Sequence, residues 1–377
     1  MEFDDSKMSY SDLQAQAYSA LNNFFSAHES EVVEIEMLPP AIQPTDGLLM
    51  QDGLNLGVPK KVLVAAYVKA RQLFFEGIKV ETTSIVSVII SDYCLRLTDA
   101  GQQALEASRV ILLFDPEHIT VANYRKRRIL KLKEEDEDGM AINGTIGKEI
   151  IFLNSILTSP LHRQSKSPTL WHHRAWLLEL LIPITLVNSC KGDLLSFLSA
   201  ELDVVLKAGE RHPKNYYAFQ YARRLLSRIE SPEKDENSLP WEASYLAFLS
   251  TYAILVKIWC CRHPSDISGW SFLLFLLPRL ETVSGRHQIV QQVLEYAINL
   301  KAQQVSVWVF LRTALAESFL EDRRDDLVRQ LYEFQQGREI PVGDDSTEKH
   351  ITQVEKWIKS YGKVLPDHPR SGAPNAG

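Results

Sequence analysis

Lys214, Asn215 and Tyr216 stand together in RHPKNYYAFQYARRLL (211–226), a stretch that also holds Pro213, Phe219, Tyr221 and the pair Arg223–Arg224. These residue types suit a basic patch for phosphate backbones. They also suit an ordinary helix start, with Asn as the cap and Tyr as a packing ring that carries a hydroxyl. A denser cationic run, YRKRRILKLK (124–133), suits a phosphate-binding stripe or a nuclear signal, but EEDED follows at once and partly neutralises it. A solvated helix face or a charged subunit interface is the plainer account. His172 and His173 are adjacent, so on a helix they diverge, and no carboxylate or Cys sits at ligand spacing, whereas zinc needs three or four converging ligands. Cys260 and Cys261 form no CxxC and suit buried small hydrophobes. The sequence holds no P-loop, no dinucleotide fingerprint, no GxSxG and no paired-acid constellation, and so no self-sufficient catalytic site.

The elements that must position these residues are helical. DAGQQALEASRVILLF, GKEIIFLNSILT, LLSFLSAELDVVLKAGE, SYLAFLSTYAILVKIWC, RHQIVQQVLEYAINL and DLVRQLYEF carry apolar residues at three- and four-residue spacing. Period-two alternation is scarce; SIVSVIISDY is the best strand candidate and reads better as a further helix. Residues 1–50 read as a helix, YSDLQAQAYSALNNFF, and a linker around Pro39, Pro40 and Pro44. Residues 51–362 read as one helical domain with charged, breaker-rich insertions at 133–147 and 230–240, and 363–377 as a disordered tail.

Five segments within about 111–320 align on one slot, occupied by Ala122, Trp171, Phe219, Trp270 and Trp308, at spacings of 49, 48, 51 and 38 residues. Three residues later come Arg125, Arg174, Ala222, Leu273 and Leu311. Spacings of this size with a recurring aromatic describe helical hairpins stacked on one another, each ring filling the seam to its neighbour. A Pro and a small polar residue upstream open each helix in the first four copies. The expected fold is all-α, an α-α superhelix of hairpins. The tetratricopeptide scaffold, with its regular 34-residue period, fits these spacings poorly.

The motifs PKNYYAFQYARRLL and SPTLWHHRAWLL resemble the protein prenyltransferase α-subunit repeat, P-x-N-Y-x-x-W-x-x-R-x-x-x-L, with Phe219 for the first Trp. The degenerate copies and long insertions look closer to a divergent branch of that family than to the α subunits of farnesyltransferase or Rab geranylgeranyltransferase. The resemblance implies a non-catalytic α-type subunit that wraps a catalytic β subunit, most similar to the Rab geranylgeranyltransferase type. It implies that zinc sits on that partner and that this chain holds no cofactor. It implies isoprenoid diphosphate and a protein with an accessible cysteine as substrates. Lys214 would touch the diphosphate, with Asn215 and Tyr216 beside it, and Trp171, His172, His173, Arg174, Tyr216, Phe219, Tyr221 and Trp270 would form the partner interface. A scaffold or adaptor without transferase activity is the alternative.

Bulk composition is consistent with this. Of 377 residues, 45% are hydrophobic and 24% charged, enough to fill a core. A formal net charge of -7 speaks against nucleic acid or an anionic membrane as the main partner. No run of about 18 uncharged apolar residues marks a span, and the acidic start MEFDDSKM is unlike a secretory signal. Four cysteines (Cys94, Cys190, Cys260, Cys261) in a chain this long suggest a reducing compartment, so a cytoplasmic location is expected.

Overall fold

The computed structural model describes residues 9–45, 47–84, 91–136, 140–188, 191–230, 242–336 and 346–362. The chain divides into two compact units, 1–230 and 231–377. Both are built of α-helices, and the fold class is all-α, of the α-α superhelix type.

The first unit opens with α1 (Tyr10–Ala27), capped by Ser9, whose hydroxyl accepts from Asp12 N at 3.2 Å. A small sheet follows: β1 (Glu34–Leu38), β2 (Met50–Asp52) and β3 (Asn55–Pro59), ordered β1-β3-β2. β1 runs parallel to β3, with Glu34 opposite Asn55, and β2 runs antiparallel to it, with Met50 opposite Gly57. Gly53, at φ 56°, makes the tight turn between β2 and β3. This sheet occupies the stretch expected to be linker and its continuation. Val33 and Ile35 are buried on one side of β1, as are Leu56 and Val58 of β3, while Glu34 and Glu36 point the other way. The short alternation was overshadowed by Pro39, Pro40 and Pro44.

Next come α2 (Lys60–Ser84) and α3 (Ser91–Phe114), which pack on each other and on α1 through Ala66, Ala70 and Phe74 against Ala104, Ala107 and Ile111. Of the stretch SIVSVIISDY, Ser91 onward is helical and 85–90 lie outside the described residues. The hairpins begin with α4 (Ile119–Glu135) and α5 (Met140–Leu157), then α6 (His162–Ser165), α7 (Pro168–Asn188), α8 (Lys191–Arg211) and α9 (Tyr216–Ile229). The insertion expected at 133–147 is largely helical. α4 runs to Glu135, α5 starts at Met140, and Asp136 accepts from Ile142 N at 2.7 Å, so its charges cover a hairpin corner.

The second unit contains α10 (Glu242–Arg262), α11 (Ile267–Leu276), α12 (Val283–Asn299), α13 (Val305–Ala316), α14 (Arg324–Gln336) and α15 (Ser346–Tyr361). Its core is Tyr252, Val256 and Cys260 of α10 with Trp270, Leu273, Val293, Leu294, Trp308 and Leu311. α10 and α11 approach closely at Gly269, where an added Cβ would lie 2.5 Å from the Trp259 ring. By length and composition Ala243–Arg262 is apolar enough to cross a membrane, at a hydropathy of 1.5, and its inner face fills this core. Residues 231–241, which include most of the second expected insertion, and the tail 363–377 lie outside the described residues.

Candidate functional site

Each repeat helix starts from a turn that the next or previous hairpin helps to hold. In the third copy, Lys214 adopts a left-handed φ of 62° and its carbonyl accepts from Tyr216 N at 3.0 Å. That conformation costs a non-glycine residue about 1–2 kcal/mol, so the surroundings must fix it. Asn215 does so. Its side-chain oxygen caps α9 by accepting from Ala218 N at 3.3 Å, and its Nδ2 donates to Ser165 O at 2.9 Å. Asn215 is fully buried, whereas Lys214, Tyr216 and Tyr217 on either side are exposed. Ser167 and Asp266 cap α7 and α11 in the same manner, accepting from Leu170 N at 3.1 Å and from Ser268 N at 2.9 Å.

Behind the turn, the aromatic slot closes on a carbonyl six residues earlier. Trp171 Nε1 donates to Ser165 O at 2.8 Å, Trp270 to Pro264 O at 3.0 Å and Trp308 to Ala302 O at 2.8 Å. Phe219 and Ala122 have no N–H to offer. The equivalent carbonyls, Pro213 O and Pro116 O, are satisfied instead by Lys166 Nζ at 2.9 Å and Ser167 Oγ at 3.1 Å. The repeat therefore keeps the carbonyl paired and changes only the donor.

The repeat arginines are internal. Arg125 of α4 donates from Nε to Glu149 of α5 at 2.8 Å, and also reaches Leu105 O and Ser108 Oγ. Arg174 of α7 binds Glu201 of α8 through Nε at 3.0 Å and Nη2 at 2.8 Å, and Tyr221 of α9 donates to the same carboxylate. These pairs tie each hairpin together from inside. Burial works against the Glu149 charge, but the Arg125 guanidinium outweighs it and holds the carboxyl below its ordinary range. Burial likewise opposes the Arg174 charge, and Glu201 overcomes it. Tyr221 is pushed well above its ordinary value by burial and then by Glu201. In the fourth and fifth copies Leu273 and Leu311, both fully buried, fill the arginine slot. Sequence reasoning missed Glu149 and Glu201; the available signal was an acid set among apolar residues in GKEIIFLN and SAELDVVL.

His173 is buried on α7, with Nε2 3.3 Å from Glu149 Oε1 but outside hydrogen-bond geometry. Burial dominates and pulls its pKa down to about 4, against the attraction of Glu149. The ring is therefore neutral at pH 7.

Of the residues expected at a partner interface, Trp171, His173, Arg174, Phe219, Tyr221 and Trp270 lie inside the chain. That expectation is corrected for these six: their faces are consumed by hairpin packing and leave nothing for a second chain. His172 and Tyr216 are exposed, and Lys214 joins them at the surface. The run 124–133 is divided around α4. Arg125 is buried, Arg128 pairs with Glu81 at 3.1 Å, Lys126 lies over Trp176, and Lys131 is 3.8 Å from Glu135. Cys260 is buried and Cys261 half-buried, both as free thiols, while the side chains of Cys94 and Cys190 lie outside the described residues. Among the described residues, no three His, Cys, Asp or Glu side chains are grouped to hold a metal.

Comparison with known proteins accords with this geometry. The protein prenyltransferase alpha subunit repeat matches residues 198–229 and 254–280, the segments that hold Phe219 and Trp270. Two stretches of the chain are thus similar to the protein prenyltransferase α-subunit repeat. It is 28% identical over 195 residues to human protein prenyltransferase alpha subunit repeat-containing protein 1, covering 47% of this chain and 40% of that protein. It is 24% identical over 182 residues to the geranylgeranyl transferase type-2 subunit alpha of Candida albicans, covering 48% and 44%. Against geranylgeranyl transferase type-2 subunit alpha 2 of Arabidopsis thaliana it is 25% identical over 147 residues, covering 36% and 19%. The matches thus span less than half the length of each relative. The matched repeats are the third and fourth; the copy built on Trp171, which follows the motif closely by eye, falls outside them.

Proposed function

We propose that this chain is the non-catalytic, α-type subunit of a protein prenyltransferase, transferring a geranylgeranyl group to a protein cysteine in complex with a zinc-bearing β subunit. The observation that carries the proposal is the third-repeat turn. Asn215 anchors the backbone from within, and Lys214 and Tyr216 stand at the surface on either side. A cation on a pre-organised turn can meet an anion presented by a second chain at little cost in ordering. In the proposed reaction a cysteine thiolate of the protein substrate attacks the first carbon of the isoprenoid, and a zinc ion on the partner would supply the activation of that thiol. The carbon–oxygen bond to the diphosphate breaks, and the Lys214 ammonium stabilises the charge that gathers on the leaving diphosphate. Relatives named as geranylgeranyl transferase type-2 α subunits support the choice of donor and of a Rab geranylgeranyltransferase-type partner. The leucines at positions 273 and 311 do not weaken the reading, because the slot they fill is structural in the two copies that carry an arginine, Arg125 and Arg174.

Co-purification of the full chain from its own cells tests the assembly. A prenyltransferase β subunit in stoichiometric amount is expected, and its absence under gentle conditions leaves the helical-repeat adaptor as the better account. In the reconstituted complex, Lys214→Ala is expected to assemble normally and to lower kcat/KM for transfer by about tenfold or more, the loss of one charge-assisted contact. Unchanged transfer removes the diphosphate role.

A further inference from the structure

The first unit contains a half-open cavity of about 880 Å3, bounded by the end of α1, the chain that follows it, and α2, α3, α4 and α5. That volume is in the range of sites for small organic ligands. Part of its lining is apolar, with Leu105, Leu132, Ile151 and Phe152, the last lying under the Arg125 guanidinium. The rest is rich in charged groups, and most of the cations are already committed. Arg125 is bound to Glu149, Arg128 to Glu81 at 3.1 Å, Lys148 to Glu29 at 2.6 Å, and Lys131 lies 3.8 Å from Glu135. Glu31 on the rim is held by His28 at 2.8 Å.

Two cations differ. Arg109 of α3, half-buried in the wall, makes one hydrogen bond among the described residues, from Nη2 to Ser26 Oγ at 3.3 Å, and no carboxylate lies within ion-pair distance. Glu106, one turn earlier, has its two oxygens engaged at 3.0 Å by Gln102 and Asn22. Burial, and then the nearby Arg125 charge, work against the Arg109 charge, and Glu106 and Glu29 offset this only in part from beyond ion-pair distance. Arg127, exposed on α4 at the cavity edge, has no ion pair or hydrogen bond among the described residues. A partly desolvated guanidinium whose one hydrogen-bond partner is a hydroxyl gains when an anion completes its fork.

We propose that this cavity binds an amphiphilic anion, with a phosphate or carboxylate head on Arg109, Arg127 at the rim, and an apolar chain along Leu105, Leu132, Ile151 and Phe152. The charge pattern selects the head, because the other cations facing the cavity have a carboxylate already. The apolar wall selects a ligand with a hydrocarbon body over free phosphate. The site lies within one unit and needs no partner subunit, so it stands or falls separately from the transferase reading.

Calorimetric titration of the full chain with octyl phosphate below its micelle concentration tests the proposal, with inorganic phosphate and octanol as single-feature probes. Octyl phosphate is expected to bind with one-to-one stoichiometry, at least about tenfold more tightly than either probe. Arg109→Gln is expected to weaken it about tenfold or more. Helical circular dichroism and the melting midpoint establish that this variant is folded. Arg127→Glu, a change at an exposed position, is a second variant, expected to weaken binding by about threefold or more. Absence of saturable binding, affinity unchanged in both variants, or inorganic phosphate binding as tightly as octyl phosphate would overturn the proposal.

Discussion

The arginine of the repeat motif is a structural group in this chain, and its energetics follow from burial. Arg174, Glu201 and Tyr221 form one buried network, so removing one charge strands another. Arg174→Leu is expected to cost about 3–5 kcal/mol in chemical denaturation. The triple change Arg174→Leu, Glu201→Leu and Tyr221→Phe is expected to return to within about 2 kcal/mol of the parent, since no buried polar group is then left unpaired. Leu273 and Leu311 show that the slot accepts an apolar residue. A triple variant as unstable as the single one would contradict this account. His173 gives a pH signature. Its folded pKa of about 4 lies below its ordinary 6.5, so the folded state binds fewer protons than the unfolded chain in that window. Its contribution is complete above pH 6.5 and is lost as the pH falls towards 4. Stability should therefore drop by about 1 kcal/mol per pH unit on average between 6.5 and 5, and His173→Gln should flatten that slope. A variant with the parent's slope in urea melts at pH 6.5, 6 and 5 would refute the assignment.

At the scale of the element, the turn before each repeat helix is held by a donor to one carbonyl, and the donor's redundancy differs between copies. Ser165 O receives both Trp171 Nε1 and Asn215 Nδ2, whereas Pro264 O receives Trp270 Nε1. Trp270→Phe is accordingly expected to cost about 1–3 kcal/mol beyond the small loss of ring area, and Trp171→Phe less than about 1 kcal/mol. Equal losses in the two variants would show that the carbonyl bond does not set the cost. Helices and hairpins were legible in the sequence because three- and four-residue periodicity is local. The sheet was not, because each strand is three to five residues long and its pairing joins Glu34 to Asn55 across a proline-rich segment. The supposed loop at 133–147 misled for a related reason: a cluster of acids and glycines looks like a solvated loop whether it is one or caps a hairpin corner.

At the scale of the whole molecule, the proposed activity depends on a second chain. If a β subunit binds the folded chain and not the unfolded one, partner at about 100 times Kd should stabilise it by about 2.7 kcal/mol. Lys214→Ala should gain the same amount, because that side chain is assigned to the substrate and not to the subunit contact. A melting midpoint that ignores the partner would remove the subunit reading, and a variant that gains less would move Lys214 into the interface.

The amino-acid sequence by itself determined the helical class, the repeat slots from Ala122 to Trp308 and the turn at Lys214–Asn215–Tyr216, since each rests on residues within a few positions of one another. Only the tertiary structure decided which way those residues face. Arg174, expected at an interface, turned inward because Glu201, 27 residues further along, completes its charge inside the hairpin, and the aromatics Trp171, Phe219, Tyr221 and Trp270 turned inward with the packing of the helices. The uncommitted Arg109 came to light for the same reason: whether a cation has a partner depends on contacts between helices, which spacing along the chain does not record.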